Sequence, residues 1–403
     1  MRNVVITSAV RTAVGGYLGS LKTVAPEDLV KLVLEEVLKR GNIMASQVDH
    51  VILGDVLSHV PNIARVASLK AGYNIEIPAY TVDRQCASSL QAVVSGAQSI
   101  KAGDDNIVVA GGVESMSRAP YYMPDNYRYE GFRMGDFSVR DAFSYASSNA
   151  HPADIYAGLN MGLTAENVAK KHSISREMQD EFAYYSQMKY KLAKEANKFV
   201  DEILPIEIKT RKGSFIFDTD EHPKIDTTQE NLSKLKPVFL RDGSGTVTAG
   251  NSSGMNDGAS SVILMEENTA KNLGCKPLVR IVASAVSGVD PNVMGLGPVP
   301  ATKKALEIAG LSLSDIDLFE FNEAFSAQTL GCLIELGMEP GTELYKRVNV
   351  NGGAVAHGHA LGNSGTRILT TLIYEMKKRN SRYGLATLCI GGGQGLTVIV
   401  ENY

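Results

Sequence analysis

Cysteine is scarce in this chain: four in 403 residues, none in a CxxC pair and none clustered with histidine at zinc-ligand spacing. That excludes a disulfide framework, argues against a metal site, and fits a reducing, cytoplasmic compartment. An excess of positive charge is also missing. Lys and Arg number 40 against 44 Asp and Glu, for a net charge of -4, which argues against a general nucleic-acid binder. No apolar run is long enough to cross a membrane. The longest, Leu385 to Val400, is broken by Gly391, Gly392, Gly393, Gln394 and Gly395, and it reads as two strands around a turn. There is no leader pattern, since Met1-Arg2-Asn3-Val4-Val5-Ile6 reads at once as a core strand. No nucleotide-binding fingerprint occurs either.

What is present is an ordinary globular composition, 44% hydrophobic and 21% charged, on a chain too long for a single core. Helical and strand patterns alternate through the first 115 residues. A helix is predicted over Asp28 to Lys39 from Leu29, Leu32, Val33 and Val37, closed by Gly41. A strand follows at Val51 to Leu53, a buried helix at Ser88 to Ile100, and an apolar strand at Ile107 to Ala110 before Gly111-Gly112. The same order recurs later. Ser314-Asp315-Ile316-Asp317 before Phe319-Glu320-Phe321-Asn322 echoes Ser46 to Gly54, Gly353 to Met376 echoes Cys86 and its helix, and Leu385 to Gly392 echoes Ile107 to Gly112. A duplicated α/β core is expected, with one half at 1–118, an insertion at 119–248, a return segment at 249–270 and a second half at 271–403. The insertion carries a helix pattern from Ser175 to Lys198 and the basic residues Lys209, Arg211, Lys212, Lys224, Lys234 and Lys236. These suit either a phosphate-bearing ligand or a solvated face.

Chemistry concentrates at three positions. Cys86 stands where a strand-like run gives way to a helix, and a helix dipole there favours thiolate. His359 and Cys389 lie in glycine-rich stretches that let backbone approach a substrate closely. One thiol for covalent catalysis and a second for proton transfer is the arrangement these suggest. Cys275 and Cys332 read as small buried hydrophobes. His357 competes with His359, with a supporting or surface role as its alternative.

Six blocks, in order, resemble the thiolase family: Asp83-Arg84-Gln85-Cys86-Ala87-Ser88-Ser89-Leu90, Gly111-Gly112-Val113-Glu114-Ser115-Met116, Thr248 to Ala259, Asn322-Glu323-Ala324-Phe325, Gly352 to Gly362, and Cys389-Ile390-Gly391-Gly392-Gly393. The resemblance spans essentially the whole chain. It implies a five-layered αβαβα core with an inserted loop domain, and reversible Claisen condensation or thiolysis of a short 3-oxoacyl-CoA, acetoacetyl-CoA first. It implies Cys86 as nucleophile, His359 as its activator, Asn322 as holder of a water in one oxyanion hole, and Cys389 as the group moving the α-proton. The N–H groups of Cys86 and Gly391 would form a second oxyanion hole. Ala249, Ser253, Met161, Ala324 and Phe325 would meet substrate, and Lys224 and Asn231 would contact coenzyme A. Coenzyme A would be a substrate, with no resident cofactor, and the assembly a homodimer or homotetramer. The aromatic, Met-bearing segment Tyr121 to Arg140 reads from its composition as a candidate contact loop, with a mobile surface loop as its alternative.

The chain also departs from the family's usual pattern. Asp83 replaces an asparagine, Ser89 a glycine, Ala360 a proline and His357 an apolar residue, while Asn160-Met161 stands where short-chain biosynthetic members carry His-Met. A degradative 3-ketoacyl-CoA thiolase of broader chain length, a ketoacyl synthase and a non-catalytic acyl-CoA-binding protein are the competing readings.

Overall fold

The computed structural model describes residues 2–211 and 213–403, so Met1 and the basic Lys212 lie outside the described residues. Nine strands carry the fold: β1 (Val4–Thr12), β2 (His50–Gly54), β3 (Ala79–Val82), β4 (Ile107–Ser115), β5 (Asn256–Glu266), β6 (Val279–Gly288), β7 (Leu318–Phe321), β8 (Tyr383–Ile390) and β9 (Gln394–Asn402). Their order is β7-β8-β9-β6-β1-β5-β4-β2-β3. Each half repeats one plan. β4 is parallel to β2 and antiparallel to β5, just as β8 is parallel to β7 and antiparallel to β9. The halves join where β1 meets β6, over the pairs Val5↔Arg280 and Ile6↔Val279.

The helices that matter below are α1 (Pro26–Gly41), α2 (Ser88–Ala102), α3 (Met161–Lys171), α4 (Arg176–Glu195), α5 (Pro298–Ala309), α6 (Ser326–Glu335) and α7 (Ser364–Arg379). β1, β4 and β5 are buried along their whole length, the mark of a sheet covered on both faces. Leu29, Val33 and Val37 of α1 cover one face against Val5, Val109 and Ile263. Leu90 and Val93 of α2 with Ile368 and Leu372 of α7 fill the middle, touching Val108 and Val262 on one side and Ala386 and Val398 on the other. Leu306 of α5 and Leu330 of α6 close the far face against Phe319, Leu385 and Ile399. The layers therefore run αβαβα, as the family resemblance implies. Burying one such side chain stabilises by roughly 1.5–3 kcal/mol, so the middle layer, drawing on both halves, locks them together despite their short strand junction.

Two sequence expectations shift. Gly111-Gly112 reads as the end of a strand, but β4 runs through it to Ser115. A Cβ at Gly111 would lie 2.2 Å from the Ser260 carbonyl oxygen, and one at Gly112 would lie 2.1 Å from that of Gly362. These glycines admit neighbouring backbone and do not turn the chain. At the end of α1 it is Asn42, at φ 52°, that takes the left-handed cap, and Gly41 stays inside the last turn.

The insertion leaves the core after β4 and returns at β5. α4 ends at Glu195, short of Lys198, and begins at Arg176 because Ser175 Oγ accepts the Met178 N–H at 3.3 Å. Lys209 and Arg211 belong to the hairpin built on Ile206–Thr210 and Gly213–Phe217, while Lys234 pairs with Glu230 at 2.5 Å. The segment from Tyr121 to Arg140 is an apolar excursion. Tyr129 is 73% exposed and Phe132 65%, with Tyr127 and Phe132 stacked at 5.1 Å. Among the described residues, no helix is long and apolar enough to cross a membrane.

Candidate active site

β3 delivers the chain into a turn that its own side chains hold. Asp83 Oδ1 accepts the Gln85 N–H at 2.8 Å, and Ser88 Oγ accepts the Arg84 N–H at 2.9 Å while donating to the Gln85 carbonyl at 2.6 Å. These bonds keep Gln85 at φ 47°, a left-handed conformation that a side chain seldom adopts. Cys86 follows, half-buried. The helix starts at Ser88, two residues on, and the thiol is not a standing thiolate. Burial pushes it up to about 11; the N–H groups of Gly391 and of Cys86 itself pull it down, and the carboxylates of Glu114 and Asp83 push it further up. The expected dipole activation is thus overridden by desolvation of the charged form. The two segments meet at this turn, since a Cβ on Gly391 would lie 3.5 Å from Gln85 Cγ.

His359 enters from the other half on the turn before α7. Its N–H donates to Asn256 Oδ1 at 2.8 Å, and its Nδ1 lies 2.6 Å from Ser364 Oγ. The Ser364 hydroxyl donates its one proton to the Ala360 carbonyl at 2.8 Å. Nδ1 is therefore the protonated nitrogen and donates to Ser364, which leaves Nε2 with a free lone pair. Asn322 Nδ2 faces that nitrogen at 3.5 Å. Burial, then the Arg367 guanidinium, holds the imidazole down at about 3, so it is neutral, with its lone pair at Nε2. Asn322 itself follows β7, anchored by its N–H to the Thr387 carbonyl at 3.0 Å, and its Oδ1 is buried without a partner.

Cys389 does not sit in a turn matching that of Cys86. It lies in β8, paired with Gly395, ahead of a turn in which Gly392 and Gly393 take φ 84° and 85°. The element that matches the Cys86 turn is the His359 turn, since each precedes a helix of the middle layer. Cys389 is fully buried against Met294 and Ala324, with Met161 and Phe325 alongside. Burial pushes its thiol well up, and the Cys86 and Cys332 sulfurs add to the push.

A cavity of about 270 Å3 opens between these elements. Cys86 and His359 share its wall with Ala249, Ser253, Met161, Ala324 and Phe325. Ser253 is placed by its N–H on the Ala324 carbonyl at 2.9 Å, and Phe325 stands edge-on to Phe239 at 6.2 Å. Cys389 lies directly behind the Met161, Met294 and Phe325 wall. Lys224 and Asn231 are not brought to this cavity. Both are exposed; the Lys224 N–H donates to Gln187 Oε1 at 2.8 Å, and Asn231 lies in the short helix Gln229–Ser233, its N–H donating to the capping Thr228 Oγ1 at 3.1 Å.

The supporting groups are ones the sequence reading did not single out. Glu114 takes the Leu57 N–H at 3.2 Å and the Gly362 N–H at 3.0 Å, tying the histidine turn to the first half. Glu323 takes Ser186 Oγ, Asn349 Nδ2 and the Val355 N–H at 2.7, 2.7 and 3.1 Å. Both lie inside the quoted blocks, so their place in a motif was the available signal. Met116 and Leu361, also inside quoted blocks, add to the apolar lining with Phe143 and Met294, and nothing in the spacing marked Phe143 or Met294. His357 proves fully buried, between Asp220 Oδ2 and the Asn351 carbonyl, each 3.2 Å away, and edge-on to Tyr190 and Phe199. Cys332 is buried against the Gly295 carbonyl, whereas Cys275 is only half-buried.

A neutral imidazole beside a thiol raised to about 11 sets the expected pH response. Thiolate is the reactive form, and it gains population as pH rises towards the thiol's own value. Alkylation of Cys86 by iodoacetamide, followed by intact mass, is expected to accelerate steadily from pH 7 to pH 10. A rate already flat from pH 6 would instead reveal a preformed thiolate–imidazolium pair.

The family model for the thiolase N-terminal domain matches residues 4–268, and that for the thiolase C-terminal domain matches residues 275–402. Acetyl-CoA acetyltransferase of Escherichia coli (strain K12) is 48% identical over the full length of both chains. Beta-ketothiolase BktB of Cupriavidus necator is 46% identical over 100% of this chain and 99% of its own. Among solved structures, Bacillus anthracis acetyl-CoA acetyltransferase superposes with TM-score 0.94 at 44% identity, covering 100% of this chain and 99% of that one. Human mitochondrial 3-ketoacyl-CoA thiolase in complex with CoA superposes with TM-score 0.92 at 42% identity, covering 100% and 98%. With both domains matched in order on a duplicated αβαβα core, this chain belongs to the thiolase family.

Proposed function

We propose that the chain is an acetyl-CoA C-acyltransferase that condenses and cleaves short 3-oxoacyl-CoA esters, with acetoacetyl-CoA as the preferred substrate. One observation carries the reading: Cys86 and His359 line one cavity, with Gly391 against Gln85 of the Cys86 turn and Cys389 immediately behind the wall. In the acyl-transfer step the Cys86 thiol passes its proton towards the His359 Nε2 lone pair as sulfur attacks the thioester carbonyl. Coenzyme A leaves and takes a proton, and an S-acetyl enzyme remains. The N–H groups of Cys86 and Gly391 are aimed to receive the oxygen of the acyl enzyme. Asn322 and His359 receive the oxygen of the second thioester. With its own proton passed to His359 Nε2, Cys389 takes the α-proton of that second thioester as its carbon attacks the acetyl group. The departing Cys86 sulfur takes the proton held by His359 and is released as a thiol. Every group these steps need is a side chain or backbone N–H of this chain, which supports a reaction without a resident cofactor.

The volume argues for a short acyl group. About 270 Å3 is below the usual range for drug-sized ligands, roughly 300–1,000 Å3. A pantetheine arm therefore leaves little room beside Met161, Met294, Phe143 and Phe325. The nucleotide end of coenzyme A falls to the outer face of the insertion. There an open depression of about 520 Å3, lined by Lys236, Val238 and Arg241, adjoins the cavity through Val238. Lys224 and Asn231 line neither the cavity nor this depression. The exposed aromatic excursion from Tyr121 to Arg140 supports a homodimer or homotetramer, and four unpaired thiols support a cytoplasmic enzyme.

The test is turnover of 3-oxoacyl-CoA esters of increasing chain length with free CoA, read as acetyl-CoA formed. Highest kcat/KM is expected for the four-carbon ester, with a fall as the chain lengthens. A maximum at long chains would favour the degradative reading, and no acetyl-CoA from any ester would sink the proposal.

A further inference from the structure

Ser89 stands where the family usually has glycine, and it is fully buried at a junction between the halves. Its Oγ accepts the Thr366 N–H at 2.9 Å. That N–H is in the first turn of α7 and has no partner within its own helix. The residue that would ordinarily cap it, Asn363, makes no cap bond; its Oδ1 is taken by the Ser260 hydroxyl. α7 is therefore capped from outside, by a side chain of α2. The hydroxyl has little freedom to leave. A Cβ on Gly112 would lie 2.6 Å from that of Ser89, and a Cβ on Gly54 would lie 2.2 Å from the Ser89 N. The two helices also touch directly, since a Cβ on Gly365 would lie 2.6 Å from the Leu90 N.

The two ends so joined are the ones that aim the reacting groups. Ser88, one residue before Ser89, holds the Cys86 turn through Arg84 and Gln85. Ser364, two residues before Thr366, receives the proton on His359 Nδ1. We propose that Ser89 is a positioning residue that fixes the approach of His359 to Cys86 by capping, from the nucleophile's helix, the helix that orients the imidazole. This rests on Cys86 and His359 being the reacting pair.

Ser89→Ala keeps the volume at the junction and removes the acceptor. It is expected to lower kcat for thiolysis about 10-fold, the consequence of one orphaned N–H in the first turn of α7, with KM within about twofold of the parent. The rate of Cys86 alkylation by iodoacetamide at pH 8 is expected to fall by the same factor. In a Ser364→Ala background the same change is expected to add less than about twofold, because both substitutions act through one turn. A lowered melting temperature with kcat and alkylation rate at the parent's values would reduce Ser89 to packing and overturn the proposal. So would full additivity with Ser364→Ala. Ser89→Gly, which only removes atoms, carries the same comparisons should the alanine variant misfold. Acetylation of the parent by acetyl-CoA, read by intact mass, tests the reacting pair separately. Its absence would fell the reading of the site, whereas its presence beside an unimpaired Ser89→Ala would fell this inference alone.

Discussion

Replacement of Cys86 by alanine is expected to lower kcat for thiolysis of acetoacetyl-CoA by about ten-thousand-fold or more, the scale on which loss of a covalent nucleophile is felt. No other thiol can take its place. Cys389 is fully buried behind the cavity wall, Cys332 lies in α6 with its sulfur on the Gly295 carbonyl, and Cys275 belongs to the segment before β6. The reacting sulfur must also line the cavity together with His359, and of the four cysteines only Cys86 does so. The substitution removes one sulfur from a turn held by Asp83 and Ser88, so the fold and CoA binding are expected to persist. Steady-state kinetics and intact mass after incubation with acetyl-CoA read the result. Residual turnover above one per cent, or an acetyl adduct on the variant, would show that another group carries the acyl chain.

Cys389→Ala is expected to separate two half-reactions. Its thiol is buried against the cavity wall, and burial above all, with the Cys86 sulfur adding to it, raises it, which suits a proton carrier whose charged form is brief. Loss of a positioned acid–base group costs roughly 100- to 10,000-fold in the step it serves. Condensation, thiolysis and exchange of the α-hydrogens of acetyl-CoA with deuterated solvent should all fall by such a factor. Acetylation of Cys86 by acetyl-CoA needs no carbon acid and should survive within about tenfold. Undiminished deuterium exchange would assign the α-proton to another residue, with His359 the next group on the cavity wall.

The duplicated architecture was legible in the sequence because periodicity and element order survive where identity does not. The Ser46 to Gly54 and Ser314 to Asn322 stretches became β2 and β7 with the turns before them. The cavity wall was legible where motifs supplied it, at Ala249, Ser253, Ala324 and Phe325. It was not legible at Phe143 or Met294, which reach the cavity by tertiary placement alone. Local sequence misled at Cys86, where a strand-to-helix junction suggested thiolate while the surrounding burial imposes the opposite. It misled again at Gly111-Gly112, because a glycine pair signals a turn unless one knows which backbone passes within 3 Å. His357 was ambiguous for the same reason. Nothing nearby in the chain announces Asp220, which lies in the insertion 137 residues away.

The pairing of β1 with β5, from Val4 opposite Glu266 to Arg11 opposite Ser260, together with the brief seam between β1 and β6, bears on assembly of the polypeptide. Contacts so distant along the chain form slowly, because a long loop must close before any of them is rewarded. Nucleophile and imidazole come from opposite sides of that seam. During refolding, competence should therefore appear late and all at once, after most helical content has returned, and neither portion of the polypeptide folded alone would hold a fraction of it.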